Sequence, residues 1–140
     1  MMERSVPVVN MSLAGPPNAV LQAALDGARR RGHLVVAAVG NGGPAAPPSF
    51  PAAYDSVVAV TAVSDDLRVY RRANRGGHVY LSAPGVGVEA AAPGGFATYS
   101  GTSFASPYVA ALGALALERP DVEAADRLLR TLSAAALDLG

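Results

Sequence analysis

Apolar residues along the chain form short continuous runs, and a helical pattern separates the first two of them. The runs lie at Val6–Leu13, Leu34–Val39 and Val57–Val63. Residues 18–32 carry apolar positions at helical spacing, with Asn18 placed as the N-cap and Gly32 as the residue that ends the helix. Continuous apolar strands joined by a helix are typical of a parallel sheet with both faces covered. We therefore predict an α/β fold, with a mainly parallel sheet and helices on both faces.

The second half of the chain carries three shorter segments and two helical patterns. The segments predict short strands at Val79–Leu81, Val86–Ala91 and Phe96–Tyr99, with a turn at residues 83–85. A long apolar helix is predicted over Ser103–Leu117, and a final amphipathic helix begins at Pro120 and Asp121. The large side chains of the long helix share one stripe: Phe104, Tyr108, Leu112 and Leu115. Small residues fill its other faces, so we expect this helix to be buried on nearly all sides.

Composition narrows the function classes without selecting one. The 140 residues are 51% apolar, and 11 basic side chains balance 11 acidic ones. A neutral chain of this length predicts one domain and no nucleic-acid partner, since nucleic-acid binders concentrate basic charge. The apolar runs are shorter than the roughly 18 residues that would predict a membrane span. With no cysteine and only His33 and His78 as histidines, we expect neither a metal site nor a cofactor.

Two short motifs suggest chemistry that their surroundings do not support. Residues 85–90, GVGVEA, match the letters of a dinucleotide-binding loop, but Pro93-Gly94-Gly95 leaves no room for the helix that holds pyrophosphate. Residues 101–105, GTSFA, come close to the G-x-S-x-G turn of α/β-hydrolases. That turn follows an apolar central strand, ends in glycine and needs a later histidine. The preceding residues are ATYS, the last position is Ala105 and no histidine follows, so we reject that interpretation.

Ser103 and Asn41 each have an ordinary structural interpretation when taken alone. A serine at the start of a helix commonly caps it, and an asparagine after a strand commonly occupies a turn. The longer strings around them carry more information. Residues 101–110, GTSFASPYVA, resemble the nucleophile motif G-T-S-M-A-S-P-H-V-A of the subtilisin-like serine proteases. Four further strings resemble that family in the same order: VNMSLAGP at 9–16, VAAVGNGG at 36–43, FPAAY at 50–54 and SAPG at 82–85.

The resemblance implies catalytic roles for two residues. Ser103 corresponds to the nucleophile, at a helix N-terminus whose backbone N–H groups favour a developing negative charge. Asn41 corresponds to the residue whose side-chain amide is the second donor of the oxyanion hole.

It also implies where a substrate binds. Ser12, Leu13 and Ala14 correspond to the edge on which an extended peptide adds as a β-strand. Gly40, together with residues 37–39 and the stretch around residues 49–50, corresponds to the walls of the pocket for the side chain before the scissile bond. Because residues 37–40 are small and uncharged, we expect a preference for apolar substrate side chains of medium to large size.

The chain also departs from the family pattern. The family orders its triad Asp, His, Ser, and the first two precede the region matched here. His33 and His78 lack the H-G-x-x-V-A surroundings of the family's catalytic histidine. Tyr108 stands where a structural histidine is usual, and Ala14 replaces a glycine of the substrate edge. We expect the tyrosine to affect only packing, and the alanine either to narrow the pocket or to weaken the addition of a substrate strand.

We therefore interpret residues 1–140 as the C-terminal half of a subtilisin-like catalytic domain. The implied function is peptide-bond hydrolysis through an acyl-enzyme in the complete protein, with a peptide or protein substrate and the N-terminal half of the domain as partners. The alternative is a catalytically inactive homologue that acts, if at all, as a binding or structural remnant. The family often binds calcium through loop carbonyls, but no carboxylate cluster in this sequence marks such a site. The first residues do not form a secretory signal, and the compartment stays undetermined.

Overall fold

A computed structural model describes residues 6–139 of the chain. Residues 1–5 and 140, which the predicted domain includes, lie outside the described residues. The described elements, in chain order, are β1 Val8–Met11, α1 Ala19–Arg30, β2 Leu34–Ala38, β3 Val58–Val63, β4 Val79–Pro84, β5 Val88–Ala92, β6 Gly95–Tyr99, α2 Thr102–Ala116 and α3 Val122–Ala135.

The strands form two separate sheets. β1, β2, β3 and β4 pair in that order, and every pairing between them is parallel. β5 and β6 form an antiparallel hairpin, in which Val88 lies opposite Tyr99. The predicted α/β architecture with a mainly parallel sheet is confirmed.

The parallel sheet is covered on both faces because its central strands are apolar on both sides. All residues of β2 and β3 are buried. Leu34 and Val36 of β2 belong to a core cluster shared with α2 and α3, whereas the alternating Val35 and Ala37 belong to a second cluster that includes Leu25 of α1. Successive side chains of a strand point to opposite faces, so one apolar run supplies both cores.

Helix α1 begins and ends where the sequence predicts. The Asn18 side chain accepts a hydrogen bond from the Leu21 N–H at 2.9 Å, which makes it the N-cap. Gly32 has a φ of +87°, a conformation that favours glycine. A Cβ on Gly32 would also lie 2.4 Å from the backbone nitrogen of Asp121, so the start of α3 packs directly against the end of α1.

Helix α2 is buried only on the face that carries its small residues. The prediction that it is buried on nearly all sides is therefore wrong. Ala105, Val109 and Gly113 face the sheet and are buried. Leu112 and Leu115, from the predicted apolar stripe, are 47% and 87% exposed. The physical reason is the close approach of helix to sheet, since a Cβ on Gly113 would lie 2.7 Å from Leu34 Cδ2. Only small side chains fit that interface.

Several strand boundaries also differ from the prediction, and both β1 and β5 begin two residues later than predicted. Of the run predicted as a strand over Val6–Leu13, only Val8–Met11 forms a strand. The next residue, Ser12, bonds through its side chain to the backbone of α2. The predicted turn at residues 83–85 is wrong, because β4 continues through Pro84. Proline has no N–H to donate to a neighbouring strand. It is compatible with this position because β4 is the edge strand of the sheet, which has a partner strand on one side only.

Candidate active site

The amino end of α2 lies against the carboxyl ends of the parallel strands. Ser12 directly follows β1, Asn41 lies three residues after β2, and Gly85 directly follows β4. The N–H of Gly101, the N-cap residue of α2, donates a hydrogen bond to the carbonyl oxygen of Gly85 at 2.8 Å. The carboxyl edge of a parallel sheet is the usual place for a ligand in α/β proteins. The topology therefore brings the predicted catalytic and substrate segments to one edge.

The side-chain amide of Asn41 is oriented by Thr102. Asn41 Oδ1 accepts hydrogen bonds from the backbone N–H of Thr102 at 3.0 Å and from Thr102 Oγ1 at 3.2 Å. A backbone N–H only donates, so the amide atom facing it must be the oxygen. Thr102 Oγ1 in turn accepts from the Gly40 N–H at 3.2 Å, which leaves its hydrogen for Asn41. The Asn41 Nδ2 group, with its two hydrogens, consequently lies on the other side, 3.4 Å from the position of a Cβ on Gly101.

Ser103 is the second residue of α2 and is partly exposed. Within residues 6–139 no side chain or backbone group forms a hydrogen bond with the Ser103 hydroxyl, so Oγ is available to another molecule. In the first turn of α2 the Thr102 N–H donates to Asn41 Oδ1 and the Phe104 N–H donates to the Gly101 carbonyl oxygen at 3.0 Å, whereas the Ser103 N–H has no acceptor among the described residues. The helix dipole adds positive potential there. Asn41 is bonded to the residue directly before Ser103, so its amide donor lies near the Ser103 N–H.

The predicted substrate edge is exposed beside this region. Ser12, Leu13 and Ala14 all lie on the surface after β1. The next residue, Gly15, pairs in antiparallel fashion with Phe50, through a 2.8 Å bond from the Gly15 N–H and a 3.0 Å bond from the Phe50 N–H. The stretch around residues 49–50 is thereby fixed next to the segment on which a substrate strand is predicted to add.

The predicted pocket walls are mostly backbone. Ala37 and Val39 direct their side chains into the core beside α1, so those side chains are not available to line a pocket. Gly40 is buried with a φ of +100°, and both of its backbone polar groups are used inside the chain. Its N–H bonds to Thr102 Oγ1, and its carbonyl accepts from the Asn74 N–H at 3.0 Å. These two hydrogen bonds fix the backbone of Gly40, which in turn holds the adjacent residue, Asn41, in place.

Asn74 is the supporting residue that the sequence analysis missed. Its side chain is almost fully buried and joins both ends of the loop after β2. Asn74 Oδ1 accepts from the Gly42 N–H at 2.7 Å, while Nδ2 donates to the Pro47 carbonyl at 3.3 Å and to Ser49 Oγ at 3.0 Å. Its position beside exposed arginines gave no sign of this role, because the contacts are all distant in sequence.

Comparison with known proteins gives the family. Residues 1–137 match the Subtilase family. The chain belongs to the subtilase family. Subtilisin DY from Bacillus licheniformis is 37% identical over 143 residues, an alignment that covers 99% of this chain and 52% of that protein. M-protease from Shouchella clausii is 40% identical over 114 residues, covering 80% of this chain and 30% of that protein.

Solved structures agree with this assignment. A cold-adapted subtilisin-like serine proteinase superposes with a TM-score of 0.85 at 34% identity, covering 98% of this chain and 51% of that one. A psychrophilic protease named S41 gives a TM-score of 0.78 at 32% identity, covering 92% of this chain and 48% of that one. The predicted resemblance is confirmed. The subtilase chain spans about half the length of Subtilisin DY and of these two structures.

Both histidines of this subtilase chain lie at the edge of the sheet opposite to Ser103. His33 precedes β2 and His78 precedes β4, so both are at the amino ends of parallel strands. The five residues of β2 alone span about 16 Å at roughly 3.3 Å per residue. His33 Nδ1 also lies 2.8 Å from the Val6 carbonyl and donates to it. Neither imidazole can take a proton from the Ser103 hydroxyl in this arrangement.

Residues 6–139 contain no group of three or more His, Cys, Asp or Glu side chains arranged to hold a metal ion. Among the helices of those residues, none combines the length and apolar character that crossing a bilayer requires.

Proposed function

We propose that this subtilase chain supplies the nucleophile and the oxyanion-binding donors of a serine endopeptidase. The observation that supports the proposal most is the pair of hydrogen bonds from Thr102 to Asn41 Oδ1. They hold the amide of a separate loop at the amino end of the helix that carries Ser103. The Asn41 Nδ2 group and the Ser103 N–H are then the two donors for an oxyanion, and Ser103 Oγ is the attacking atom.

The proposed reaction is acyl transfer in two steps. Ser103 Oγ bonds to the carbonyl carbon of the scissile peptide while its proton passes to a base, and the carbonyl oxygen becomes the oxyanion held by the two donors. The C–N bond then breaks, the amine leaves with a proton from the protonated base, and an ester to Ser103 remains. Water hydrolyses that ester by the same route, which releases the acid and restores the Ser103 hydroxyl.

The base and the carboxylate that orients it come from outside these 140 residues. A serine hydroxyl is a weak nucleophile until an adjacent base takes its proton, and His33 and His78 lie at the wrong edge of the sheet. We propose that the N-terminal half of a subtilisin-like catalytic domain is the partner that supplies both groups. The substrate is a peptide or protein chain that adds along Ser12, Leu13 and Ala14. The backbone of residues 37–40 and the uncharged residues 49–50 would line the pocket before the scissile bond, which favours an apolar substrate side chain there.

The second candidate function is that of a catalytically inactive homologue. The position of the two histidines favours it, because a chain acting by itself would have a nucleophile and oxyanion donors without a base. Such a chain would keep the fold and the exposed edge at residues 12–14 as a binding surface.

The test combines this chain with the N-terminal half proposed as its partner, a combination called the full-length protein below, and uses a fluorophosphonate that labels activated serines. We expect stoichiometric labelling at Ser103, hydrolysis of a fluorogenic peptide, and loss of both in Ser103→Ala. The matched control is Ser133→Ala, which removes an exposed hydroxyl from α3 and leaves both signals unchanged. Absence of labelling in the full-length protein would contradict the peptidase proposal and favour the inactive homologue.

A further inference from the structure

The carbonyl of Ser103 has no partner inside its own helix. In an α-helix the carbonyl of residue i accepts from the N–H of residue i+4. The residue four positions after Ser103 is Pro107, which lies inside α2 and has no N–H. The peptide unit of the proposed nucleophile therefore needs a hydrogen-bond donor from elsewhere in the molecule.

Ser12 is that donor. Its Oγ donates to the Ser103 carbonyl oxygen at 3.1 Å, across 91 positions of sequence. The same Oγ lies 2.9 Å from Asn10 Nδ2 and 3.0 Å from Ser106 Oγ. A hydroxyl has one hydrogen and two lone pairs. Because the Ser103 carbonyl can only accept, the hydrogen of Ser12 goes there, and both Asn10 and Ser106 donate to Ser12.

Each of the three hydrogen bonds of the Ser12 hydroxyl therefore has a defined donor and a defined acceptor. Ser106 is fully buried, and its hydroxyl donates to Ser12 Oγ. Every hydrogen-bonding site of the Ser12 hydroxyl is occupied, so the side chain has one arrangement rather than several. Its backbone belongs to the exposed segment at residues 12–14, where a substrate strand is proposed to add.

We propose that Ser12 is a positioning residue, whose hydroxyl replaces the hydrogen bond that Pro107 removes and so fixes the peptide unit of Ser103 relative to the substrate edge. This inference rests on the proposed peptidase function. Ser12 joins the two halves of the reaction geometry: its backbone aligns the substrate strand, and its hydroxyl holds the backbone from which Ser103 Oγ attacks. A fixed distance between the two lowers the barrier because the reacting atoms are already aligned.

The first test asks whether Ser12 and Pro107 are coupled in the full-length protein. Pro107→Ala restores an N–H that can bond to the Ser103 carbonyl, so Ser12→Ala should lower the melting temperature less in that background. Because Ser12→Ala also leaves the buried Ser106 hydroxyl without an acceptor, all variants carry Ser106→Ala. If Ser12→Ala lowers the melting temperature equally with Pro107 and with Pro107→Ala, the Ser12 hydroxyl does not replace the missing N–H, and the proposal is overturned.

The second test separates positioning from substrate binding. We expect Ser12→Ala to lower kcat about tenfold with KM changed less than about twofold, because the hydroxyl acts on the nucleophile. Ser12→Thr keeps the hydroxyl and should restore most of kcat. A rise in KM with kcat unchanged would assign Ser12 to the substrate alone and overturn the proposal. If the wild-type protein neither hydrolyses nor labels, the peptidase proposal fails, while the melting temperatures still decide the role of the hydroxyl.

Discussion

Asn41 combines a structural task and a proposed catalytic task in one amide group. Its oxygen satisfies the first backbone N–H of α2, a role that Gly101 cannot fill because glycine has no side chain. Its nitrogen is thereby left as a donor beside Ser103. The structural task sets the orientation that the proposed catalytic task needs, and the two can be separated by substitution.

Two substitutions of Asn41 should have different effects. Asn41→Asp keeps the oxygen acceptor for Thr102 and removes the donor, so we expect kcat to fall by roughly 10²–10³ with the melting temperature nearly unchanged. Asn41→Ala removes both, so we expect the same loss of kcat and a further loss of about 1 kcal/mol in the free energy of unfolding. The magnitude for kcat is that of removing one such donor in a subtilisin. Thermal unfolding and kcat in the full-length protein check both, and an active Asn41→Asp would contradict the assignment.

At the scale of elements, Asn74 fixes the loop between β2 and β3. The buried amide of Asn74 accepts one hydrogen bond, from residue 42, and donates two, to residues 47 and 49. Few other side chains present a donor and an acceptor in the same plane. The loop that carries Asn41 is therefore anchored at its start and again near the predicted pocket wall.

Asn74→Asp should destabilise the protein although it barely changes volume. The new oxygen would face the Pro47 carbonyl, where Nδ2 now donates, and a buried charge would lose its partners. We expect a loss of about 2–3 kcal/mol in the free energy of unfolding, measured by denaturant titration. The matched control is Asn18→Asp, where aspartate caps α1 as well as asparagine does and the loss should be close to zero. Equal stability of the two variants would show that the Asn74 amide is not essential.

The junction between β4 and α2 leaves no room for a side chain at Gly85. A Cβ there would lie 2.7 Å from Ala62 Cβ and 2.9 Å from the Gly101 carbonyl. We expect Gly85→Ala to cost about 1–3 kcal/mol of unfolding free energy and to lower kcat, because it displaces the start of α2. Gly77→Ala is the control, since a Cβ at Gly77 meets nothing within 4 Å. A stable, fully active Gly85→Ala would show that this contact does not position the helix.

The sequence predicts the elements better than their contacts, and α2 shows why. The caps of α1 and the central strands follow from local patterns, and the structure places them within about a residue of the prediction. The buried face of α2 does not follow, because it depends on how closely Gly113 approaches Leu34. The bond from Ser12 to Ser103 spans 91 positions. A proline four residues after Ser103 did signal that its carbonyl needs another donor, but not which residue supplies it.

At the scale of the whole molecule, the parallel sheet keeps two kinds of residues apart. The carboxyl edge brings together the residues predicted from the family resemblance: Ser12, Asn41 and Ser103. The amino edge carries both histidines. The fold is that of a subtilase, yet among residues 6–139, which the structure describes, the proposed nucleophile has no histidine within reach. The central claim is therefore that Ser103 is activated only when groups from outside residues 1–140 are present.

The rate at which a fluorophosphonate labels Ser103 tests this claim most directly. It should be measured on the full-length protein and on the isolated 140-residue chain, with circular dichroism used to show that the isolated chain has α/β secondary structure. We expect stoichiometric labelling of the full-length protein and none above background for the isolated chain, since loss of the histidine base costs about 10⁶ in kcat in a subtilisin. Stoichiometric labelling of the isolated chain, abolished by Ser103→Ala, would contradict the account and show that a base lies within these residues.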